Sequence, residues 1–516
     1  MDTSDFSKLL KGLQNPAAYP HQVSDIRVIE THISAVLLTG EYAYKLKKPL
    51  DMGFLDFSTL ERRRHFCAEE IRLNRRLAPN LYLDTVAVTG NHSVPKVGGN
   101  GEAIEYMVRM RQFDPEQQLD RLLARGELSA AHIDSLIARI AAFHAQAATV
   151  DPASQLGTPE AVFAPMQQNF DQLHPLIDQP ARRQQLRRLE DWTRAEYDRL
   201  APLLAERRAA GHIRECHGDM HLGNMAVVDG DIAIFDGIEF NDDFRWIDVA
   251  NEIAFFVMDL ESRGAAALAH RALNAWVELS GDHQALRLMR FYQTYRAMVR
   301  AKVASIRLGQ TGLADAEREE VLAAYQRYAD LAEHYTTAAR RALLITRGFA
   351  GAGKTTLSTE AVESLGMIRL RSDVERKRLH GLPAEARSGS GIGTGLYAED
   401  ATERTYDALQ ARAEAAIDGG FPVVVDASFL ARRHRRRFAE LAAARELGFA
   451  ILDVQAPEDQ LKERLQRRQG DASEATADIL DWQTAHAEAV ESDEPCLKVD
   501  GREPLPTAAL RARLDL

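Results

Sequence analysis

Cysteine is scarce in this 516-residue chain: Cys67, Cys216 and Cys496 lie far apart, with neither a CxxC pair nor a histidine at metal spacing. That excludes a disulfide framework and a zinc cluster, and it suits a reducing compartment, so a cytoplasmic location is expected. No window reaches the roughly 18 uninterrupted apolar residues of a membrane-spanning helix. The opening MDTSDFSKLLKGL has no basic segment followed by an apolar run. Neither a membrane span nor a signal peptide is therefore expected. Excess positive charge is missing too: 64 Lys plus Arg stand against 76 Asp plus Glu, a net charge of −12. Nonspecific binding to nucleic acid or an anionic membrane is disfavoured. What remains is an ordinary globular composition, 45% hydrophobic and 27% charged, at a length that predicts about two to four domains.

The stretch His217 to Phe240, HGDMHLGNMAVVDGDIAIFDGIEF, carries the densest chemistry. Asp219 and Asn224 stand five residues apart, and Asp236 follows twelve residues after Asn224, directly before Gly237. This is the order in which phosphoryl transfer uses its groups: a carboxylate beside the attacking hydroxyl, then hard oxygen ligands for Mg²⁺. Asp219 suits the first role, Asn224 and Asp236 the second. Two short apolar runs around Asp229-Gly230 predict a hairpin returning Asn224 and Asp236 to one end. His221 reads equally well as a structural histidine.

HGDMHLGN followed by IFDGIEF closely resembles the signature of the aminoglycoside phosphotransferase family, whose relatives include choline and fructosamine kinases. The resemblance covers roughly residues 30 to 310. It implies a bilobal α+β protein-kinase-like fold, with Asp219 as the catalytic carboxylate and Asn224 and Asp236 as Mg²⁺ ligands. Upstream, SAVLLTGEYAYKLK at Ser34 to Lys47 reads as a small-lobe hairpin with Lys45 and Lys47 on one face. Kinases use a strand lysine on the α and β phosphates, paired with a helix glutamate. Lys45 is the expected lysine, and Glu70, in a helix opened by a capping box at Ser58 to Glu61 and running to about Leu77, is its expected partner. Thr85 to Val88 and Ala103 to Met110 complete the small-lobe sheet, with Met107 to Met110 as the hinge. One element is lacking here: Gly40 stands alone where kinases carry GxGxxG.

The region from Asp114 to about Gly211 has helical periodicity, as do 248–260, 291–308 and 314–341. Arg296, Arg300 and Lys302 read as a solvated face or, alternatively, as contacts to an anionic substrate. The boundary between the two halves is expected at 335 to 341. The reading is thus a kinase-like domain over 1–335, with a small lobe at about 25–110 and a large lobe at about 111–335, then a second domain over 340–516.

That second domain opens with a full GxxxxGK[ST] match, GFAGAGKT at Gly348 to Thr355, after an apolar strand and before a helix. Gly348, Gly351 and Gly353 let backbone amides turn inward around phosphates; Lys354 reaches the β and γ phosphates, and Thr355, followed by Thr356, offers a hydroxyl to Mg²⁺. Strands at Met367 to Leu370, Pro422 to Val425, Phe449 to Val454 and Cys496 to Val499 predict an α/β P-loop NTPase domain, a parallel sheet flanked by helices. Asp426 ends VVVD as the expected Walker B carboxylate, and Asp373 is the expected orienter of the acceptor hydroxyl. The arrangement resembles P-loop kinases such as gluconate kinase and zeta-toxin-like enzymes. By that analogy Arg464, Arg467 and Arg468 form a lid over the transferring phosphoryl group, or else an exposed amphipathic helix. RRHRRR at Arg432 to Arg437 reads as a solvated helix surface or as an RNA or nucleotide contact.

The whole-chain order resembles a bacterial family in which these two domains are fused. The expected activity is bifunctional: ATP- and Mg²⁺-dependent transfer of the γ-phosphoryl group to a small-molecule hydroxyl in each domain. The alternatives are an ATPase switch with a non-catalytic kinase-like ligand-binding domain, or a polynucleotide-type kinase in the second domain.

Overall fold

The computed structural model describes residues 3–309, 314–337, 341–384, 386, 394–467 and 478–516. The chain condenses into two compact units: Met1–Gln172 with Arg194–Asp259, and Leu173–Thr193 with Leu260–Leu516. Both the helix Asp315–Thr336 and the strand Ala342–Arg347, which flank the boundary expected at 335 to 341, fall in the second unit.

The first unit is built on a six-stranded antiparallel sheet. Its strands are β1 (Arg27–Glu30), β2 (Ser34–Leu38), β3 (Tyr42–Lys47), β4 (Tyr82–Asn91), β5 (Val94–Val97) and β6 (Glu105–Arg111), in the order β1-β2-β3-β6-β4-β5. Alternation in β3 turns Tyr44 and Leu46 to one face, where they pack with Leu9, Leu13, Val88 and Met107. Lys45 and Lys47 point to the other, toward the helix Leu60–Asn74. That helix is capped by Thr59, whose hydroxyl accepts the Arg62 N–H at 3.2 Å. The expected cap, Ser58, instead gives its hydroxyl to Asp56. The helix stops at Asn74 rather than Leu77. Met107 to Met110 is not a hinge, because β6 pairs with β3 on one side and β4 on the other throughout that stretch. The chain leaves the sheet only after Arg111.

The helix Ala130–Gln146, the 194–209 part of the helix Pro180–Ala209, the 249–259 part of the helix Val249–Ser262 and two small ladders complete this fold. One ladder joins β7 (Ile213–Glu215) to a later strand; the other is the hairpin of β8 (Met225–Val228) and β9 (Asp231–Ile234), and β10 (Trp246–Asp248) is the partner of β7. Asp229 at φ 54° and Gly230 at φ 87° turn the hairpin as a two-residue left-handed corner.

The second unit holds a parallel sheet of β11 (Ala342–Arg347), β12 (Ile368–Arg371), β13 (Val423–Asp426), β14 (Gly448–Gln455) and β15 (Cys496–Asp500), in the order β12-β13-β11-β14-β15. Each expected strand is present within about a residue. The three inner strands β11, β13 and β14 are buried on both faces and read as near-continuous apolar runs, as parallel strands do, whereas the edge strands β12 and β15 carry Arg369, Arg371 and Lys498. The helix Ala266–Ser280 lies against the helix Lys354–Leu365 in this unit: Arg271 meets Glu363 at 2.6 Å, and Asn274 Oδ1 accepts the Arg369 N–H at 2.7 Å. Among the described residues no helix is long and apolar enough to cross a membrane.

Candidate active sites

In the first unit the hairpin does what its sequence implies: Asn224 O accepts the Phe235 N–H at 2.9 Å, which sets Asn224 and Asp236 at the same end. Asn224, itself buried, donates from Nδ2 to both the carbonyl and Oδ2 of Asp219, each at 3.0 Å. The Asp219 carboxylate is thereby fixed while remaining 37% exposed. Asp236 sits at φ 62° and is held at its backbone, its N–H donating to the Tyr82 hydroxyl at 3.1 Å; the next N–H, of Gly237, donates to Asn74 Oδ1 at 2.8 Å. A non-glycine residue in that left-handed region marks a spot whose surroundings dictate the backbone.

Lys45 Nζ lies 2.9 Å from Glu70 and 2.5 Å from Asp236. Lys47 lies 2.5 Å from the other oxygen of Glu70 and also meets Glu239. Burial opposes every charge in this cluster, yet Asp236, Glu70 and Glu239 hold the Lys45 ammonium well above its ordinary range. Burial alone would raise Glu70, but Lys45 and Lys47 bring it below the usual carboxylate range. Glu239, served by Lys47, is raised by burial.

The loop carrying Asp219 is braced from beneath. Glu252 Oε1 accepts the backbone N–H groups of His217 and Gly218, both at 2.7 Å, and its other oxygen pairs with His144 at 2.9 Å. His217 Nδ1 accepts the Asp219 N–H at 3.3 Å while Nε2 faces Phe235 O at 2.9 Å, which puts the proton on Nε2. Burial lowers this imidazole's affinity for a second proton. His221 Nδ1 caps Gly223 N–H at 3.1 Å, a structural task, with Nε2 3.6 Å from Asp219. Glu239, Asn74, Tyr82 and Glu252 escaped the sequence reading, and Lys47, read as sharing a face with Lys45, was given no role of its own. Glu239 carried a signal, an acid inside the apolar run IEF, and so did Lys47, two residues from Lys45 on the same strand face.

In the second unit the loop after β11 takes positive φ at Gly348 (146°), Gly351 (82°) and Gly353 (105°). The helix Lys354–Leu365 starts directly behind it. Lys354 Nζ donates to Gly348 O at 2.9 Å and Phe349 O at 2.8 Å, curled over the loop. Thr355 and Ser358 hydroxyls both reach Asp426 Oδ2, at 2.9 and 3.2 Å. Thr356 is exposed in the same turn. Arg371 is in register with Asp426, so Asp373, in the first turn of the helix Ser372–Leu379, stands at the same carboxyl edge of the sheet. It pairs with Arg376 at 3.1 Å, whose guanidinium covers the Tyr397 ring at 4.8 Å. Arg464 donates to Gly351 O at 3.1 Å, while Arg468 lies outside the described residues. Gln483, not foreseen, accepts the Ala350 N–H at 2.8 Å.

The arginine run on the helix Arg432–Ala444 is matched by acids. Arg432 meets Asp493 at 2.9 Å, Arg433 meets Glu403 at 2.9 Å, Arg436 meets Glu440 at 2.7 Å and Arg437 meets Asp407 at 2.7 Å. Arg435 is fully buried against Glu494 at 2.7 Å, so the run is not simply a solvated face. Arg296 is buried as well, and burial lowers Lys302.

Comparison with known proteins follows the same division. Residues 55–292 match the phosphotransferase enzyme family and residues 343–490 match an AAA domain. Uncharacterized proteins of Mycobacterium bovis and Mycobacterium tuberculosis are 30% identical over 483 residues, 90% of this chain and 93% of theirs. Among solved structures, a choline/ethanolamine kinase family protein of Mesorhizobium loti is similar over 64% of this chain and 95% of its own, with 12% identity and a TM-score of 0.39. A gluconokinase of Sinorhizobium meliloti is similar over 34% of this chain and 91% of its own, with 22% identity and a TM-score of 0.25. The two domains are those of kinase-type phosphotransfer, and such families use ATP, typically with Mg²⁺. With these relatives matched over nearly its whole length, the chain belongs to the same family as the mycobacterial proteins, and in this chain a phosphotransferase enzyme family domain is joined to an AAA domain.

Proposed function

We propose that the chain is an ATP- and Mg²⁺-dependent kinase with two nucleotide sites, each passing the γ-phosphoryl group to a hydroxyl of a small molecule. The observation that carries this reading is the convergence of Asp219, Asn224, Asp236, Lys45 and Glu70 in one unit, from segments up to 191 residues apart. Asp219, anchored by Asn224 but open to solvent, is suited to orient the acceptor hydroxyl and take its proton as the oxygen attacks phosphorus. Lys45 exchanges Asp236 for the α and β phosphates. The hard oxygens of Asn224 and Asp236 fit Mg²⁺, which would neutralise phosphate charge there. A loose transition state leaves the protein mainly with positioning and charge neutralisation.

At the second site, loop amides and Lys354 would hold the triphosphate tail, and Thr355 with Asp426 offers the matching oxygen set for Mg²⁺. Asp373 would orient the acceptor. A small-molecule acceptor is favoured over a polynucleotide because Arg432, Arg433, Arg436 and Arg437 already face carboxylates. Buried free thiols at Cys67 and Cys216 suit a cytoplasmic setting. The test is ATP consumption by the full chain across a panel of hydroxylated metabolites, for wild type, Asp219→Asn and Lys354→Ala. Acceptor-dependent turnover abolished by Asp219→Asn supports the first site. ATPase activity indifferent to Asp219 and to every acceptor favours a switch in which the first domain only binds.

A further inference from the structure

We infer that Lys47 is a positioning residue: it locks the helix Leu60–Asn74 onto the metal-holding segment Asp236–Glu239, so that Lys45 alone moves when nucleotide binds. This rests on the reading of the first site as a Mg·nucleotide site. Two lysines share one glutamate here, and their surroundings differ. Lys45 is 11% exposed and touches Asp236, whose carboxylate is 48% exposed. Lys47 is 1% exposed, bound to Glu70 and to a Glu239 that is 4% exposed, with the Phe57 ring 4.9 Å from its ammonium. The inner lysine is enclosed by two buried carboxylates and shut off from solvent, with no open side from which a phosphate could approach it. The outer one touches a carboxylate that opens to solvent.

The rest of the helix is tied down in the same sense. Asn74 donates to Glu70 O at 2.9 Å and receives the Gly237 N–H at 2.8 Å. Arg72 meets Glu215 at 2.7 Å, and Arg76 donates to Glu215 O at 2.7 Å and to Cys216 O at 3.1 Å, just before the Asp219 loop. Arg63, at the other end, pairs with Glu105 at 2.8 Å and holds Phe57 O at 2.9 Å, which keeps the ring over Lys47. In kinases governed by swinging this helix, the lysine–glutamate pair is what breaks. Here the glutamate keeps Lys47 whatever Lys45 does, so the helix stays docked. Charge agrees: Lys45 and Lys47 face Glu70, Glu239 and Asp236, one negative charge in excess, left at the open carboxylate where a divalent cation is expected.

The experiment uses the full chain in a Lys354→Ala background, which silences the second site. The Mg²⁺ concentration for half-maximal binding of a non-hydrolysable ATP analogue is measured by calorimetry, with thermal melting alongside. Lys47→Met is expected to lower the melting temperature and raise the Mg²⁺ requirement at least tenfold. Lys47→Met combined with Glu239→Gln, which removes the stranded charge, is expected to recover melting but not the Mg²⁺ requirement. A recovered Mg²⁺ requirement in the double variant would make Lys47 merely structural and overturn the inference, as would a Lys47→Met protein with unchanged Mg²⁺ dependence. A Lys354→Ala background that binds no nucleotide overturns the first-site reading itself, and the inference with it.

Discussion

Asp219 and Asn224 form the smallest unit of the proposed first site. The amide holds both the carbonyl and the carboxylate of the aspartate, so Asp219→Asn keeps the shape and removes the base. Turnover at the first site should fall by about 10²–10⁴-fold, the usual contribution of a general base, while nucleotide affinity stays within a few-fold. Steady-state kinetics against calorimetric affinity check that split. Arg435 makes a different kind of prediction. It is wholly buried, with Glu494 and the carbonyls of Phe429 and Ala489 as acceptors. Arg435→Met leaves Glu494 with the Glu491 N–H as its remaining close donor and should cost about 3 kcal/mol in urea unfolding, the low end for losing one partner of a buried pair. Glu261 offers a pH signature. Burial raises its carboxyl to about 7 from an ordinary 4.5, despite the donating hydroxyl of Tyr335. An acid whose folded value exceeds its unfolded value favours the protonated form, so its contribution to stability is full below about 4.5 and falls as pH rises toward 7. Glu261→Gln should flatten that part of the stability curve in denaturation series taken between those pH values.

Among the elements, the loop between β11 and its helix is the tightest junction. A Cβ on Gly501, at the end of β15, would stand 1.7 Å from Ala352 O, and one on Gly353 would stand 2.8 Å from Gly501 O. Both obstacles are backbone, so neither can yield by a rotamer change. Gly501→Ala should displace the phosphate loop and weaken nucleotide binding at the second site by at least tenfold, with the first site unaffected; nucleotide titration of an Asp236→Ala background reads it directly. This contact also shows where sequence reasoning stops. The inner parallel strands were legible because continuous burial writes itself as unbroken apolar runs such as ALLIT and VVV, and the hairpin was legible because Asp-Gly allows two left-handed residues. The touching of Gly353 and Gly501 was not, since it joins positions far apart in the chain with no local pattern. The pairing of Lys47 with Glu239 was hidden for the same reason: it spans 192 residues, and YKLKK offers three lysines with nothing local to rank them. Met107 to Met110 misled because an apolar stretch before a helical region looks like a connection, whereas pairing on both sides makes it the sheet's interior.

At the scale of the whole molecule, one polypeptide is proposed to carry two nucleotide cradles, one made of a hairpin, a strand and a helix, the other of a glycine loop and a parallel sheet. Each has its own carboxylates and its own lysine. The most direct test is the stoichiometry of a non-hydrolysable ATP analogue bound with Mg²⁺, measured calorimetrically on the full chain. Two equivalents are predicted for wild type, one for Lys354→Ala or for Asp236→Ala, and none for the double variant. A single equivalent in wild type that disappears with only one of these substitutions would contradict the claim.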